Sequence, residues 1–265
     1  MRKQFTKPRG GLNPALVYSG PSMLDGSHII AVAIPASSNI KTGGMMQIFI
    51  MHAEVDPVTA NRSGLDRAVC GDCALRGEPH YGPTGYAKRR GCYVNLVHGP
   101  LGIFRKYQRG GYARLFPAEL TEYGAGQNIR LGAYGDPAAV PLYVWDALTK
   151  EAKGWTGYTH QMDHVSMRGA KGRAFTDFCM VSADTLEEAR GYWSEGVRTF
   201  RTVGSPSDVV PGEILCPATK EAGQRTTCEK CQLCSGSNIT ARNIAAVVHG
   251  AGAKHAAGAI IARAG

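Results

Sequence analysis

Cysteine spacing near the end of the chain is the strongest chemical signal in this sequence. Cys216, Cys228, Cys231 and Cys234 fall within one short stretch, and the last three form a C-x2-C-x2-C run. Each two-residue gap lets a turn aim the next sulfur at the same point, as a shared metal requires. Disulfide pairing is the alternative, but a C-x2-C loop closes only a small strained ring. We therefore expect these four cysteines to bind metal.

Two metals suit the four terminal cysteines. Zinc would be held tetrahedrally by their thiolates, but zinc ligands usually come as two separated pairs. A C-x2-C-x2-C run with a remote fourth cysteine is instead typical of cubane iron–sulfur clusters. The spacing favours a [4Fe-4S] cluster, with zinc as the alternative.

A second set of cysteines lies earlier in the chain, where eighteen residues separate Cys92 from the pair Cys70 and Cys73. We expect a metal site here, with an open position or a fourth ligand from elsewhere. A redox pair or a lone zinc knuckle is the alternative. The remaining thiol, Cys179, lies in an apolar strand and is predicted to be free and buried.

Composition limits the class of protein. The formal net charge of +9 favours polyanionic partners such as nucleic acid or a phosphorylated small molecule, although such a charge also simply keeps proteins soluble. No apolar run is long enough for a membrane span, and the basic start has no secretory pattern. We expect a cytoplasmic protein without a membrane partner, in which clustered thiols stay reduced and favour metal.

Strand and helix patterns predict an α/β fold that positions these residues. Residues 1–13 are predicted to be a flexible basic arm, and residues 14–265 a single domain with metal-binding loops at 70–92 and 216–234. An N-terminal β-hairpin is expected from residues 28–34 and 45–51, and a helix from Pro57 to Gly64. Later segments alternate as strand and helix, which is typical of a parallel sheet. The predicted strands and helices of this part are strands at 129–134, 155–159, 178–182, 197–203 and 243–248 and helices at 138–150 and 186–195.

The number of strands suggests a partial or open (β/α) barrel with a cysteine-rich metal-binding insertion. Sites in parallel α/β folds form at the carboxyl ends of strands. The catalytic candidates there are Asp136 and His160, and Asp184 is expected to cap the following helix. Asp136 could equally be a turn former or helix cap. His160 could act in acid–base chemistry, bind metal together with His164, or be a structural histidine; His249 is a weaker candidate.

Several cations are candidates for binding a phosphate. Lys41 lies in a Lys-Thr-Gly loop that could hold phosphate or simply close the hairpin. Residues 88–114 mix cations with aromatic residues, which suits base stacking but equally an amphipathic helix with its apolar face buried. Arg105 and Arg109 are the cations of interest there. Arg198 and Arg201 are predicted to lie on one side of a strand and to bind phosphate together.

Four segments carry a resemblance to a known group of proteins. They are Cys70-Gly-Asp-Cys73 with Cys92-Tyr93, residues 130–137 (Arg-Leu-Gly-Ala-Tyr-Gly-Asp-Pro), residues 157–161 (Gly-Tyr-Thr-His-Gln) and the terminal cysteine cluster. In this order they resemble an uncharacterised family of phage and prophage proteins, which is itself similar to radical-SAM-like iron–sulfur proteins with partial (β/α) barrels. The resemblance implies a bacterial cell carrying a phage or prophage, a [4Fe-4S] cluster at the barrel mouth, and S-adenosylmethionine as a cofactor. Cys70, Cys73 and Cys92 would then be a rearranged version of the family's C-x3-C-x2-C loop.

Two functions follow as hypotheses. The first is an iron–sulfur enzyme with one or two clusters that acts on a nucleotide or nucleic acid. The second is a non-catalytic nucleic-acid-binding protein stabilised by zinc or a cluster, with residues 88–114 as its working surface. In either case we expect the terminal cysteines at the same end of the sheet as Asp136 and His160.

Overall fold

The protein has a mixed α/β fold with two β-sheets. The computed structural model describes residues 11–35, 39–162, 175–237, 240–250 and 252–256. The strands are β1 (Ala15–Pro21), β2 (His28–Ile34), β3 (Met46–His52), β4 (Ala113–Arg114), β5 (Asn128–Tyr134), β6 (Gly154–Thr156), β7 (Tyr158–Thr159), β8 (Met180–Ala183), β9 (Thr199–Val203), β10 (Glu213–Leu215) and β11 (Asn243–Val247). The α-helices are α1 (Pro57–Ser63), α2 (Arg67–Cys70), α3 (Pro100–Gln108), α4 (Leu120–Gly124), α5 (Leu142–Thr149), α6 (Leu186–Ser194) and α7 (Cys228–Cys231).

The first sheet contains the predicted hairpin. Its strand order is β4-β1-β2-β3-β5-β6, and β2 pairs antiparallel with β3 with Ile29 opposite His52. The hairpin prediction is therefore confirmed, whereas β1, which pairs antiparallel with β2, was not predicted. From β3 onward the pairing becomes parallel, through β5 to β6.

The second sheet is parallel throughout, in the order β10-β11-β9-β8-β7. Only Gly157 separates β6 from β7, so the predicted strand 155–159 is split and passes from the first sheet to the second. A Cβ on Gly157 would lie 2.6 Å from the Cys179 Sγ and 2.9 Å from the Phe178 carbonyl oxygen. Glycine at this position therefore lets β8 pack closely against the junction.

The helices agree with the sequence patterns except after Asp136 and Asp184. Asp56 caps α1, which ends before Gly64 with φ of 84° as predicted. The predicted helix 138–150 is shorter, because Pro141 separates α5 from a single 3₁₀ turn, Pro137–Ala139. The prediction that Asp184 caps the next helix is wrong: Thr185 is the N-cap of α6, and its side chain accepts from the Glu188 N–H. The Asp184 carboxylate instead lies beside His160.

Apolar side chains form two buried clusters. The larger one packs the first sheet against α5 and includes Ile29, Ile50, Trp145 and Cys179. Cys179 is fully buried and free, as predicted. The smaller cluster surrounds Met45, Met180 and Ile244 and contains three cysteines, Cys216, Cys228 and Cys234. In the described part of the chain, no helix has the length and apolar character needed to cross a membrane.

Candidate functional site

The first cysteine group, Cys70, Cys73 and Cys92, begins at the end of α2. Gly71 follows Cys70 with φ of 53°, and a Cβ there would clash with the Gln161 side chain. Gln161 instead donates from Nε2 to the Cys70 carbonyl at 3.2 Å and accepts from the Asp72 N–H at 3.3 Å. Glycine is required because only it combines this backbone conformation with such close approach.

An ion pair underneath fixes the same loop. Arg76 donates to the Asp66 carboxylate at 2.6 and 3.0 Å and to the Gly71 carbonyl oxygen at 2.6 Å. Asp66 also accepts from the buried Asn61 amide at 2.7 Å. These charge-assisted bonds hold the Cys70–Cys73 turn rigid from below.

His160 reaches this group from the carboxyl end of β7. Its Nε2 lies 4.0 Å from the Cys73 Sγ and 3.3 Å from Asp184 Oδ1, which follows β8. Burial alone would lower the pKa of His160, but Cys73 and Asp184 raise it well above its ordinary value. The imidazole therefore lies between a sulfur and a carboxylate, and both favour its protonated form.

Asp136 positions His160. Its Oδ1 accepts from the Ala138 N–H at 2.9 Å, and its Oδ2 accepts from the backbone N–H of His160 at 2.8 Å. The carboxylate is thus a turn cap, one of the two roles considered from sequence, and burial raises its pKa. The structure brings both catalytic candidates to one end of the sheet, while His164 lies outside the described residues.

Burial shapes the chemistry of the first cysteine group. It raises the pKa of Cys70 well above the ordinary thiol value, with smaller contributions from Asp66, Cys73 and Cys92, and it also raises the pKa of Cys92. The hydroxyl of Tyr134 is buried near Cys70 and Cys92 and has no hydrogen-bond partner among the described residues. An orphaned hydroxyl near two sulfurs fits a ligand that would accept its hydrogen bond.

The second cysteine group is formed by Cys216, Cys228, Cys231 and Cys234. All four line a single cavity, together with Thr156, Tyr158 and Ile244. Burial raises the pKa of Cys228, and it raises that of Cys234 to about 12. A metal would displace these protons, and four soft sulfur donors in a mainly apolar cavity suit thiophilic metals. The donor set therefore fits either an iron–sulfur cluster or zinc.

Contacts place this second group at the amino ends of the parallel strands. The Cys228 N–H donates to the Lys41 carbonyl at 2.9 Å, and Glu229 accepts from the Gly44 N–H at 2.9 Å, just before β3. Gln232 donates at 2.7 Å to Asn128, the first residue of β5. The expectation that these cysteines share an end with Asp136 and His160 is therefore wrong for Cys228, Cys231 and Cys234. Strand β10 does run toward the carboxyl end before Cys216. The loop that follows returns to the amino end, where Cys228, Cys231 and Cys234 lie.

No three His, Cys, Asp or Glu side chains in the described ranges lie close enough together to hold one metal ion. The four cysteines of the second group nevertheless line one cavity. In the first group, Cys73 and Cys92 lie near enough to Cys70 to raise the pKa of its thiol.

A half-buried arginine lies between the two groups and was not identified from the sequence. Arg130 in β5 donates to the Tyr93 hydroxyl at 2.5 Å and to the Gly132 carbonyl at 3.5 Å, and its guanidinium lies 5.7 Å from the centre of the Tyr158 ring. Burial would lower its pKa, but Tyr93, Tyr158, Cys228 and Cys234 raise it. The sequence did contain one indication of it: Arg130 is a cation within an apolar strand, two residues after Asn128 and therefore on the same face.

The predicted phosphate-binding cations are dispersed. Lys41 contacts the second cysteine group through its backbone, and Arg105 and Arg109 are exposed around α3. The prediction that Arg198 and Arg201 point to one side is wrong, because side chains three apart along a strand alternate faces. Arg198 donates to the carbonyls of Leu233, Gly236 and Arg242, whereas Arg201 pairs with Glu213 through bonds of 2.6 and 2.9 Å.

Helix α3 favours the amphipathic interpretation of residues 88–114. Phe104 is buried, and Ile103 and Tyr107 pack against the core. These apolar side chains are therefore committed to packing rather than to stacking on bases.

Comparison with protein-family models, with curated proteins and with solved structures finds no match for this chain.

Proposed function

We propose that this chain is an iron–sulfur protein, a radical-SAM-like enzyme that acts on a nucleotide or nucleic-acid substrate. One observation carries the proposal: two cysteine groups, of three and four thiols, lie at opposite ends of the same parallel strands. Cys70, Cys73 and Cys92 would hold a cluster with one open position at the carboxyl ends, where sites in such folds form. The second cysteine group would hold a fully ligated cluster that supports the fold.

The proposal includes a partial (β/α) barrel. Its support is the continuous parallel order from β3 through β5 and β6, across Gly157 to β7, and on to β8, β9, β11 and β10. The segment between β10 and β11 is then a cysteine-rich insertion that closes the amino end. The resemblance noted in the sequence supplies the expected cofactor, S-adenosylmethionine, and the phage or prophage setting in a bacterial cytoplasm.

Protein residues have distinct roles in this proposal. A cluster in the first cysteine group would supply electrons at the carboxyl end of the sheet. His160 stands beside it as a proton donor or acceptor, since its Nε2 lies within reach of both Cys73 and Asp184. Asp136 is a positioning residue, because it fixes the His160 backbone rather than facing the sulfurs.

The first test is anaerobic purification followed by an absorbance spectrum and metal and sulfide analysis. We expect a brown protein with iron and sulfide in equal amounts, about four of each for every cluster bound. A colourless protein that contains stoichiometric zinc and no sulfide would contradict the proposal.

A second function is supported by one surface feature. Arg105 and Arg109 are exposed, and neither forms an ion pair with another described residue. A non-catalytic, zinc- or cluster-stabilised protein could bind nucleic acid through these cations and the net charge of +9. Its binding would fall steeply with salt, and neutralising Arg105 or Arg109 would weaken it on every sequence alike. Absence of binding at low salt would exclude this function.

A further inference from the structure

Arg130 carries a positive charge into the space between the two cysteine groups. It shares a face of β5 with Asn128, which touches the second cysteine group through Gln232. At the far end of the same strand, Tyr134 lies near Cys70 and Cys92 of the first cysteine group. Arg130 therefore lies on the strand that connects the two cysteine groups.

The hydrogen bonds of Arg130 are incomplete. A guanidinium has five N–H donors, yet among the described residues Arg130 bonds only to the Tyr93 hydroxyl and, at 3.5 Å, to the Gly132 carbonyl. No carboxylate among the described residues pairs with it. Three other internal arginines differ in this respect: Arg76 and Arg201 each hold a carboxylate, and Arg198 is surrounded by carbonyls.

An unpaired internal cation is costly unless an anion completes it. Tyr93 is 47 % exposed, and its ring centre lies 5.3 Å from that of His249, which is also exposed. The half-buried guanidinium thus bonds to an exposed tyrosine on one side, while the Tyr158 ring lies on another side. The fork of N–H groups matches a phosphate or carboxylate in a bidentate manner.

We propose that Arg130 binds the oxyanion of a small ligand, a phosphate monoester or a carboxylate, between Tyr93 and Tyr158. The inference deepens the proposed function by naming the residue that recognises its substrate or cofactor, and it rests on that function for the identity of the ligand. The competing role for Arg130 is purely internal, as a counter-charge for Cys228 and Cys234 once a metal has displaced their protons.

Calorimetric titration of the full-length protein, as purified, with inorganic phosphate and with acetate at low salt tests the proposal. We expect saturable binding of at least one anion, weakened about tenfold or more in Arg130→Gln because a charged hydrogen-bond pair is lost. Arg190→Gln is the control, since it removes the same charge from an exposed position on α6 and should change the affinity less than twofold. Adenosine monophosphate but not adenosine should compete with phosphate if a phosphate monoester is the source; tighter acetate binding identifies a carboxylate.

Three results would overturn the proposal: no saturation by either anion, equal weakening in both variants, or an unchanged affinity in Arg130→Gln. If Arg130→Gln does not fold, phenylglyoxal labelling of the unaltered protein replaces it. Phosphate or acetate should then slow modification of Arg130 but not of the exposed Arg190, and equal rates would overturn the proposal. Iron and sulfide contents are measured on the same samples. A protein without iron that still binds phosphate through Arg130 contradicts the proposed function and leaves this site standing.

Discussion

Oδ2 of Asp136 accepts a hydrogen bond from the backbone N–H of His160 at 2.8 Å, which ties the turn after β5 to the end of β7. The bond crosses from the first sheet to the second, since β5 and β7 belong to different sheets. Asp136 therefore sets where the His160 ring stands relative to Cys73 and Asp184.

Replacing Asp136 by asparagine should lower the free energy of unfolding by about 1–3 kcal/mol. One of the two buried backbone N–H groups that the carboxylate satisfies would lose its acceptor. Urea denaturation followed by circular dichroism measures the change. Asp25→Asn is the matched control, because Asp25 caps the Ser27 N–H at an exposed turn and should change stability by less than about 0.5 kcal/mol. Equal losses in the two variants would contradict the structural role of Asp136.

The Arg201–Glu213 pair offers a test of buried charge. Arg201→Met alone should destabilise the protein by about 3–5 kcal/mol, since it leaves the buried Glu213 carboxylate without its cation. Adding Glu213→Leu should recover most of the loss, because both charges are then gone. A double-mutant cycle by chemical denaturation gives the coupling energy. A double variant no more stable than Arg201→Met would show that the pair does not act as a unit.

Gly157 at the junction of the sheets should not tolerate a side chain. Gly157→Ala is expected to lose about 1–3 kcal/mol, because its Cβ would press on Cys179 and on the Phe178 backbone. Gly191→Ala is the control: Gly191 lies within α6, where a Cβ meets nothing within 4 Å. That variant should gain about 0.5–1 kcal/mol from helix propensity. Thermal unfolding of both proteins distinguishes these opposite signs.

Cysteine replacements should separate the two metal groups. Under the proposed function, Cys92→Ala lowers the iron and sulfide contents through loss of the first group alone, and Cys231→Ala through loss of the second. The two losses should add in the double variant, since the groups lie at opposite ends of the strands. Cys179→Ala is the control, because this thiol is buried apart from both groups and its loss should leave the metal content unchanged. Loss of all metal in either single variant would indicate one shared site.

Much of the fold could be predicted from local patterns. The hairpin of β2 and β3, helix α1 between Asp56 and Gly64, and most later strands carry runs or caps that need no tertiary information. The split at Gly157 and the failure of Asp184 as a cap could not be foreseen. Both depend on neighbours distant in sequence: close packing of Cys179 in one case and the His160 side chain in the other.

The candidate site divides in the same way. Cysteine spacing identified both groups, but it could not say that they face opposite ends of the strands. That depends on the contacts of Glu229 with Gly44 and of Gln232 with Asn128. Arg130 escaped notice because the cations that stand out in a sequence are clustered ones, and a single arginine in a strand shows nothing of its missing acid partner.

The contact between Gly44 and Glu229 also has a consequence for biosynthesis. These residues are 185 positions apart in the chain. At roughly 5–20 residues per second, a ribosome needs on the order of 10–40 s to make the intervening polypeptide. Until residues 228–234 leave the ribosome, the loop before β3 lacks these contacts and its side of the sheet stays uncovered. Maturation of the second cysteine group is consequently a late event, and the uncovered side of the sheet is exposed to aggregation during that interval.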